Sequence, residues 1–401
     1  MSQYIVLKDK NAARRFTGLG GSITEGIGPV TSSMADLSPD PSISTESLDA
    51  NDLRDAARDP DVLGVARSMP TALIAPQEGA AVAAGAPTWG VVAVGADQST
   101  ADGAGVVPCV LDTGIDRNHP AFAGVNLVEK DFTGSGNGDV QGHGSHCAGT
   151  IFGRDVEGTR IGVAPGVTDA LIGKVLGDDG SGGSEMLFDG MMWASRNNAQ
   201  VISMSLGFDF PGLVKRLVEG GWPVDLATNA ALEGYRMNIR MFDQIMALIR
   251  ARAAFNGGTI VVAATGNESH RDQDPNFEVS ASVPAAAQGI VSVGAVGQSP
   301  DGLVVAGFSN TNPVVTGPGV DVLSAKSGGG LVSFRGTSMA TPHVAGLAAL
   351  WWQTIRGAGI PATADAVQAR LRAGAVTDVF APGVDILDRG DGLAKAPSAG
   401  M

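Results

Sequence analysis

The sequence predicts an α/β fold, a doubly wound and mainly parallel sheet with helices on both faces, preceded by a small α+β segment. Three observations carry this expectation. From Trp89 onward, short β-branched apolar runs alternate with helical patterns, as they do where parallel strands are joined by crossover helices. Glycine is abundant (57 residues) and aromatics make up only 5%, which suits close packing of helices on a sheet and many short loops. The 401 residues exceed the roughly 250–300 that a single core organises, leaving room for one large domain and something smaller.

Taken in order, Tyr4-Ile5-Val6-Leu7 reads as a strand, and the Gly-, Ser-, Pro- and Asp-rich stretch 18–50 reads as loop. Leu48 to Arg58 has a helical pattern stopped by Asp59-Pro60. Val62 to Ile74 reads as extended chain broken by Pro70, and the Gly/Ala/Pro stretch Glu78 to Pro87 is the best linker. This gives an N-terminal unit over 1–80, a linker over 81–88 and a main domain over 89–401. Val106 to Leu111, Ala170 to Val175, Val201 to Ser205, Thr259 to Ala264 and Gly289 to Val293 are then expected as buried parallel strands, since each is short, apolar and bounded by Gly, Asp or Asn. Helices are expected from near His143, from near Ser184, within 224–255 and after Ser338. In the last of these, Pro342 is tolerated if it lies in the first turn. Within 208–258, Leu232, Tyr235, Ile239, Phe242, Ile245 and Ile249 recur every three or four residues, one face of a helix. That segment reads as a surface helix packed on the core, or else as a rim or subunit-contact element.

Charge and composition exclude several functions. A net charge of −14 with a pI near 4.7 repels phosphate backbones, which argues against nucleic acid as a partner. No apolar run approaches the ~20 residues of a spanning helix, which argues against membrane insertion. The N-terminus lacks the apolar stretch of a secretory signal, so a cytoplasmic protein is expected, or a secreted one if a leader has been trimmed. Two cysteines, Cys109 and Cys147, make neither a disulfide scaffold nor a zinc site and are expected as buried free thiols.

Four motifs could carry chemistry: Asp112-Thr113-Gly114, Gly142-His143-Gly144, Ala264-Thr265-Gly266-Asn267 and Gly336-Thr337-Ser338-Met339-Ala340. Each alone is a common turn, but together they supply a carboxylate, an imidazole, an amide and a hydroxyl at predicted strand or helix ends. Serine hydrolysis needs a hydroxyl, an imidazole to take its proton and a carboxylate to hold that ring, with donors aimed at the oxyanion. A serine opening a helix sits among free N–H groups at the positive end of the dipole. Of the five histidines, His343 is too near Ser338 along one helix, His119 precedes a proline and His270 lies in a polar loop. His146 could share a helix face with His143, and geometry alone does not separate the two; the flanking glycines favour His143. Gly336-Thr337-Ser338 half-matches the G-x-S-x-G elbow, but that fold needs a histidine well after its serine, and only His343 follows. The order Asp, His, Ser remains.

Residues 89–395 resemble the subtilase family (peptidase S8, subtilisin-like) in motif order and spacing. The resemblance rests on Val110-Leu111-Asp112-Thr113-Gly114-Ile115-Asp116, on Gly142 through Thr150 and on Gly336 through Gly346. It implies a three-layer fold with a mainly parallel sheet of about seven strands, and a serine endopeptidase acting through an acyl-enzyme. Asp112 is then the residue orienting the base, His143 the base and Ser338 the nucleophile. Asn267 and the Ser338 N–H are implied as the oxyanion hole, a donor of that kind contributing about 2.7–4 kcal/mol in subtilisin itself. Gly180-Ser181-Gly182 and Ser205-Leu206-Gly207 resemble the two strands that sandwich an extended peptide, and Ala264 with the loop after Glu268 should line the specificity pocket.

The chain departs from that pattern in places. After His119-Pro120 stands Ala121 where the family's strongest calcium site has an acidic residue, and the loop Phe152 to Arg160 carries Val156 and Glu157 where an Asn ligand is expected. No cofactor is therefore expected to be required, that calcium site is expected to be missing, and any other is unplaced. Cys147, one turn after His143, is expected beneath the imidazole, as core filler or as a point of thiol-reagent sensitivity. Residues 1–80 loosely resemble the inhibitory prodomain of subtilases, which implies a zymogen and an intramolecular inhibitor. Val62 to Gln77 is expected to enter the cleft as a product-like tail, with cleavage between about Pro76 and Pro87. The expected partner is a polypeptide substrate. A catalytically silent peptide-binding protein and a narrow processing enzyme are the competing readings, and the oligomeric state is left open.

Overall fold

Runs such as Pro108–Asp112 and Ile260–Ala264, apolar on both faces, are fully buried, as inner strands of a sheet covered on both sides must be. The computed structural model describes residues 2–9, 41–81 and 85–398. Its central sheet contains β6 (Pro108–Asp112), β7 (Asn126–Asp131), β8 (Asp169–Lys174), β10 (Val201–Met204), β12 (Ile260–Ala264), β13 (Val291–Ser299), β14 (Gly302–Val305) and β15 (Val315–Pro318). The order is β14-β13-β12-β10-β6-β8-β7, with β15 also on β13; every pairing is parallel except β13–β14. This is the mainly parallel α/β sheet expected, in eight strands rather than about seven.

The principal helices are α2 (Trp89–Ala93), α3 (His143–Phe152), α4 (Ser184–Arg196), α5 (Phe210–Glu219), α6 (Val224–Ala251), α7 (Ala253–Asn256), α8 (Thr337–Gly357) and α9 (Ala364–Ala373). Residues from α3 and α8 join one apolar core, and residues from α4 and α6 a second. On α6 the sequence-predicted face divides. Phe242, Ile245 and Ile249 are buried, Tyr235 and Ile239 are half-buried, and Leu232 is exposed. The segment 208–258 is thus anchored by the second half of α6, while its first half and α5 form a rim.

Before this domain come β1 (Ser2–Asp9), β2 (Pro41–Leu48), α1 (Ala50–Ala56) and β3 (Val62–Arg67), three antiparallel strands in the order β2-β1-β3. Ile5, Leu7, Ala66 and Met69 belong to the same buried cluster as Phe188 of α4 and Phe242 of α6. The N-terminal sheet is therefore packed on those two helices. Two expectations are corrected here. Residues 41–48, read as loop, are a strand, and the helix begins at Ala50 rather than Leu48. Asp49 caps it, its side chain accepting from Asn51 and Asp52 N–H. The rest of the predicted loop, residues 18–40, and 82–84 of the linker lie outside the described residues.

Candidate active site

The sheet's carboxyl edge, where parallel α/β proteins hold their sites, gathers all four motifs. Asp112 ends β6 and Asn267 follows the end of β12; His143 opens α3 and Ser338 lies in the first turn of α8. His143 Nδ1 donates to Asp112 Oδ1 over 2.8 Å, and the same oxygen accepts the Thr113 N–H, also at 2.8 Å. Burial draws the His143 imidazole down, but the charge and hydrogen bond of Asp112 outweigh it and hold the ring well above its ordinary value. Asp139, which sequence reasoning missed, locks this pair. Its buried carboxylate accepts from Thr113 Oγ1 and Gly142 N–H through one oxygen, and from the N–H and hydroxyl of Ser145 through the other. A carboxylate three residues before the Gly-His-Gly motif was the only signal.

Asn267 is oriented by α8. Its Oδ1 accepts both the N–H and the hydroxyl of Thr337 at 2.9 Å, which turns Nδ2 toward the cleft. A Cβ at Gly336 would lie 3.0 Å from that Nδ2, so only glycine leaves the amide its place.

Pro342 lies inside α8, past the first turn, which corrects the condition set from sequence. Proline has no N–H for the carbonyl four residues back, here Ser338 O. That carbonyl accepts instead from Ser205 Oγ (3.2 Å) and Cys147 Sγ (3.5 Å). The Ser205 hydroxyl is thereby a prop beneath the serine. The Cys147 sulfur also lies 3.7 and 4.0 Å from the two ring nitrogens of His143, and burial pushes its thiol up, away from the reactive thiolate.

The two strands expected to hold substrate form one sheet with the chain's own residues. β9 (Ser181–Gly183) and β11 (Leu206–Phe208) flank β4 (Pro70–Leu73), antiparallel on both sides. Thr71 faces Gly182 and Phe208, Ala72 faces Ser181 and Gly207, Leu73 faces Leu206, and Leu73 N–H donates to Gly180 O at 2.8 Å. Beyond it Ser338 Oγ donates to Ile74 O at 3.0 Å, and Asn267 Nδ2 to Ala75 O at 3.4 Å. β5 (Gln77–Glu78) then pairs with β17 (Leu331–Arg335), the partner of β16 (Val322–Ala325). The segment thus runs through the cleft and out, rather than ending in it as a product-like tail.

Beside Ile74 opens a cavity of about 630 Å³, whose lining includes Phe208, Phe210, Leu232, Tyr235, Glu268 and Ser282. Ala264 is not among its walls. As the last residue of a strand buried on both faces, it has no exposure. Phe210, Leu232 and Tyr235 come from the 208–258 segment, whose helical period was visible while its proximity to the cleft was not.

The other histidines stand apart. His146 Nε2 lies 3.0 Å from Val322 O, His343 Nδ1 2.8 Å from Met339 O, His119 Nε2 2.8 Å from Gly330 O, and His270 is exposed. Among the described residues one set of three candidate metal ligands converges, and it consists of Asp112, His143 and Cys147 themselves. The family's calcium position does not fit the ion. Ala121 is buried, Val156 is apolar and Glu157 faces solvent. The loop is tied by Arg154 instead, its N–H donating to Ala121 O and its guanidinium to the carbonyls of Phe152, Pro165 and Val167. Among the described residues no helix is long and apolar enough to cross a membrane.

Residues 103–392 match the model of the subtilase family, peptidase S8. An intracellular serine protease of Paenibacillus polymyxa is 35% identical over 256 residues, 62% of this chain and 67% of its own length. Subtilisin-like protease 6 of Trichophyton schoenleinii and of Trichophyton rubrum are each 33% identical over 285 residues, 66% of this chain. The chain spans 58% and 57% of those two fungal relatives. With that match extending from before β6 to beyond α9, the chain belongs to the subtilase family of subtilisin-like serine peptidases.

Proposed function

We propose that the protein is a serine endopeptidase whose N-terminal residues are its own inhibitor, so that it is made as a zymogen. Ser338 is the nucleophile, His143 its base and Asp112 the residue that holds the ring; Asn267 and the Ser338 N–H receive the oxyanion. Gly180, Ser181, Gly182, Leu206 and Gly207 bind the substrate backbone. The observation that carries this reading is the course of residues 70–78, an extended segment flanked by strands on both sides, with Ile74 O 3.0 Å from the Ser338 hydroxyl.

The same geometry supports inhibition rather than turnover. The serine proton is given to Ile74 O, whereas attack requires it to go to His143. Asn267 meanwhile donates to the next carbonyl, that of Ala75. With the two donors on successive carbonyls, neither peptide group is both attacked and stabilised. The register favours Ile74–Ala75 as the bond nearest reaction, ahead of the range expected from sequence. Similarity to a relative named as intracellular supports a cytoplasmic site of action.

Casein hydrolysis together with the mass of the purified chain tests the proposal. Wild type is expected to shed its N-terminal residues and degrade casein, and to lose activity to a sulfonyl fluoride. Ser338→Ala is expected to remain full length and inactive. A wild-type chain that stays intact and degrades casein refutes the inhibitor, and one that never labels or cleaves refutes the peptidase. Because Arg154 replaces the ion in tying its loop, a chelator is expected to leave both activity and melting temperature unchanged; a drop of several degrees would show a calcium requirement.

A further inference from the structure

Past Ser338 the segment meets a second set of contacts. Arg335 and Phe334 pair with Gln77 and Glu78, the Gly79 N–H donates to Ser333 O at 2.9 Å, and the Ala80 N–H donates to Asp321 Oδ1 at 2.8 Å. The receiving side has features of its own. Asp321 stands at φ 52°, a left-handed conformation uncommon for a residue with a side chain. Its carbonyl and that of Val320 accept from Trp89 Nε1 at 3.2 and 3.0 Å, which fixes the turn that presents the carboxylate. The Ser333 hydroxyl is shielded from water without a partner, directly against position 79. A Cβ there would lie 2.4 Å from Ser333 Oγ and 3.1 Å from Asp321 Oδ1. Held backbone strain and a buried unpaired hydroxyl are features that concentrate where a structure binds something.

We propose that the β17 edge together with Asp321 is a recognition track for the C-terminal side of the substrate. It takes extended, unfolded polypeptide as far as the sixth residue beyond the bond at Ser338, and favours glycine at the fifth. The inference rests on the endopeptidase reading and names the substrate class of that site. Main-chain pairing of this kind is indifferent to most side chains but requires a free strand, so folded proteins are excluded and short peptides are poor substrates. The Asp321 carboxylate needs an N–H, which excludes proline at the sixth position.

The test uses internally quenched peptides with one common N-terminal half and one cleaved bond, followed by two, four or six residues, on the activated chain. kcat/KM is expected to rise about tenfold from two residues to six, as charge-assisted and neutral main-chain bonds are added. The part of the gain between four and six that the sixth residue brings is lost in Asp321→Ala or with proline at the sixth residue. It is kept in Asp321→Asn, which retains an acceptor oxygen and tolerates the left-handed backbone. Equal rates at all lengths, or a gain untouched by Asp321→Ala, overturns the track. If no peptide of any length is cut, the peptidase reading fails and the track is judged on inactive Ser338→Ala protein. There, amide exchange over residues 77–80 is expected to be about tenfold slower with Asp321 than in Asp321→Ala, and equal exchange overturns it.

Discussion

At Ser338 a proline five residues from the helix start sets the hydrogen bonding around the proposed nucleophile. Pro342 frees the Ser338 carbonyl, and a hydroxyl and a thiol beneath it take the bond the helix cannot make. Ser205 and Cys147 are therefore tied to the serine through its backbone. Asn267 acts on the opposite side. Its amide is aimed before any substrate arrives, since Thr337 holds its oxygen twice. Asn267→Ala is expected to lower kcat about 10²–10³-fold with little change in KM, because the lost donor acts only on the developing oxyanion. Steady-state kinetics on one peptide checks this, and a rise in KM at unchanged kcat would show a ground-state contact instead. The residues named from sequence that meet here were legible because each lies in a contiguous motif at an element end. The place of the Ser205 hydroxyl and the full burial of Ala264 were not legible, for the converse reason. Their surroundings are set by residues distant in the chain, the Pro342 gap for one and a doubly covered strand for the other.

Among the elements, β4 carries the strongest functional statement and had the weakest sequence signal. Four residues opened by a proline read as broken extended chain, and nothing local reveals the two strands they pair with. Its second residue shows a mismatch. Thr71 is buried, and its hydroxyl has no hydrogen-bond partner, at a cost of about 1–3 kcal/mol. On the inhibitor reading proposed above, the segment would be a substrate mimic weakened at one side chain, which favours release. Thr71→Val keeps the shape and removes the unpaired group. It is expected to raise the melting temperature of Ser338→Ala protein and, in the active chain, to lengthen the lag before casein hydrolysis several-fold. An unchanged or shorter lag would mean that the hydroxyl finds a partner in solution. β2 was missed because Ser- and Pro-rich composition reads as loop, whereas an antiparallel neighbour turns PSISTESL into a strand. Sheet pairing overrode the local preference.

Across the whole molecule, the helices that present His143 and Ser338 also bury two rings that take no part in the site. Burial, helped by the nearby His143 charge, draws His146 down to about 3, and burial alone draws His343 down to about 4. Both are neutral in the folded protein, while in the unfolded chain they take up protons near pH 6.5. Between about pH 6.5 and 4 the unfolded state therefore binds more protons, and stability falls by about 1.4 kcal/mol per pH unit for each ring. His143 does not offset this. Its folded value lies above 6.5, so its contribution is fully present below the unfolded value and is lost only as pH rises through the folded one. The surface charge of −14 relaxes only as carboxylates protonate, near and below about pH 4–5, which leaves a window for the measurement. Urea unfolding of Ser338→Ala protein is expected to show a steep loss of stability from pH 6.5 to 5, and the slope is expected to fall by about half in His343→Gln. A flat profile over that range would mean that these rings reach water without unfolding. In that case α3 and α8, which hold His143 and Ser338, would be less tightly closed than their packing implies.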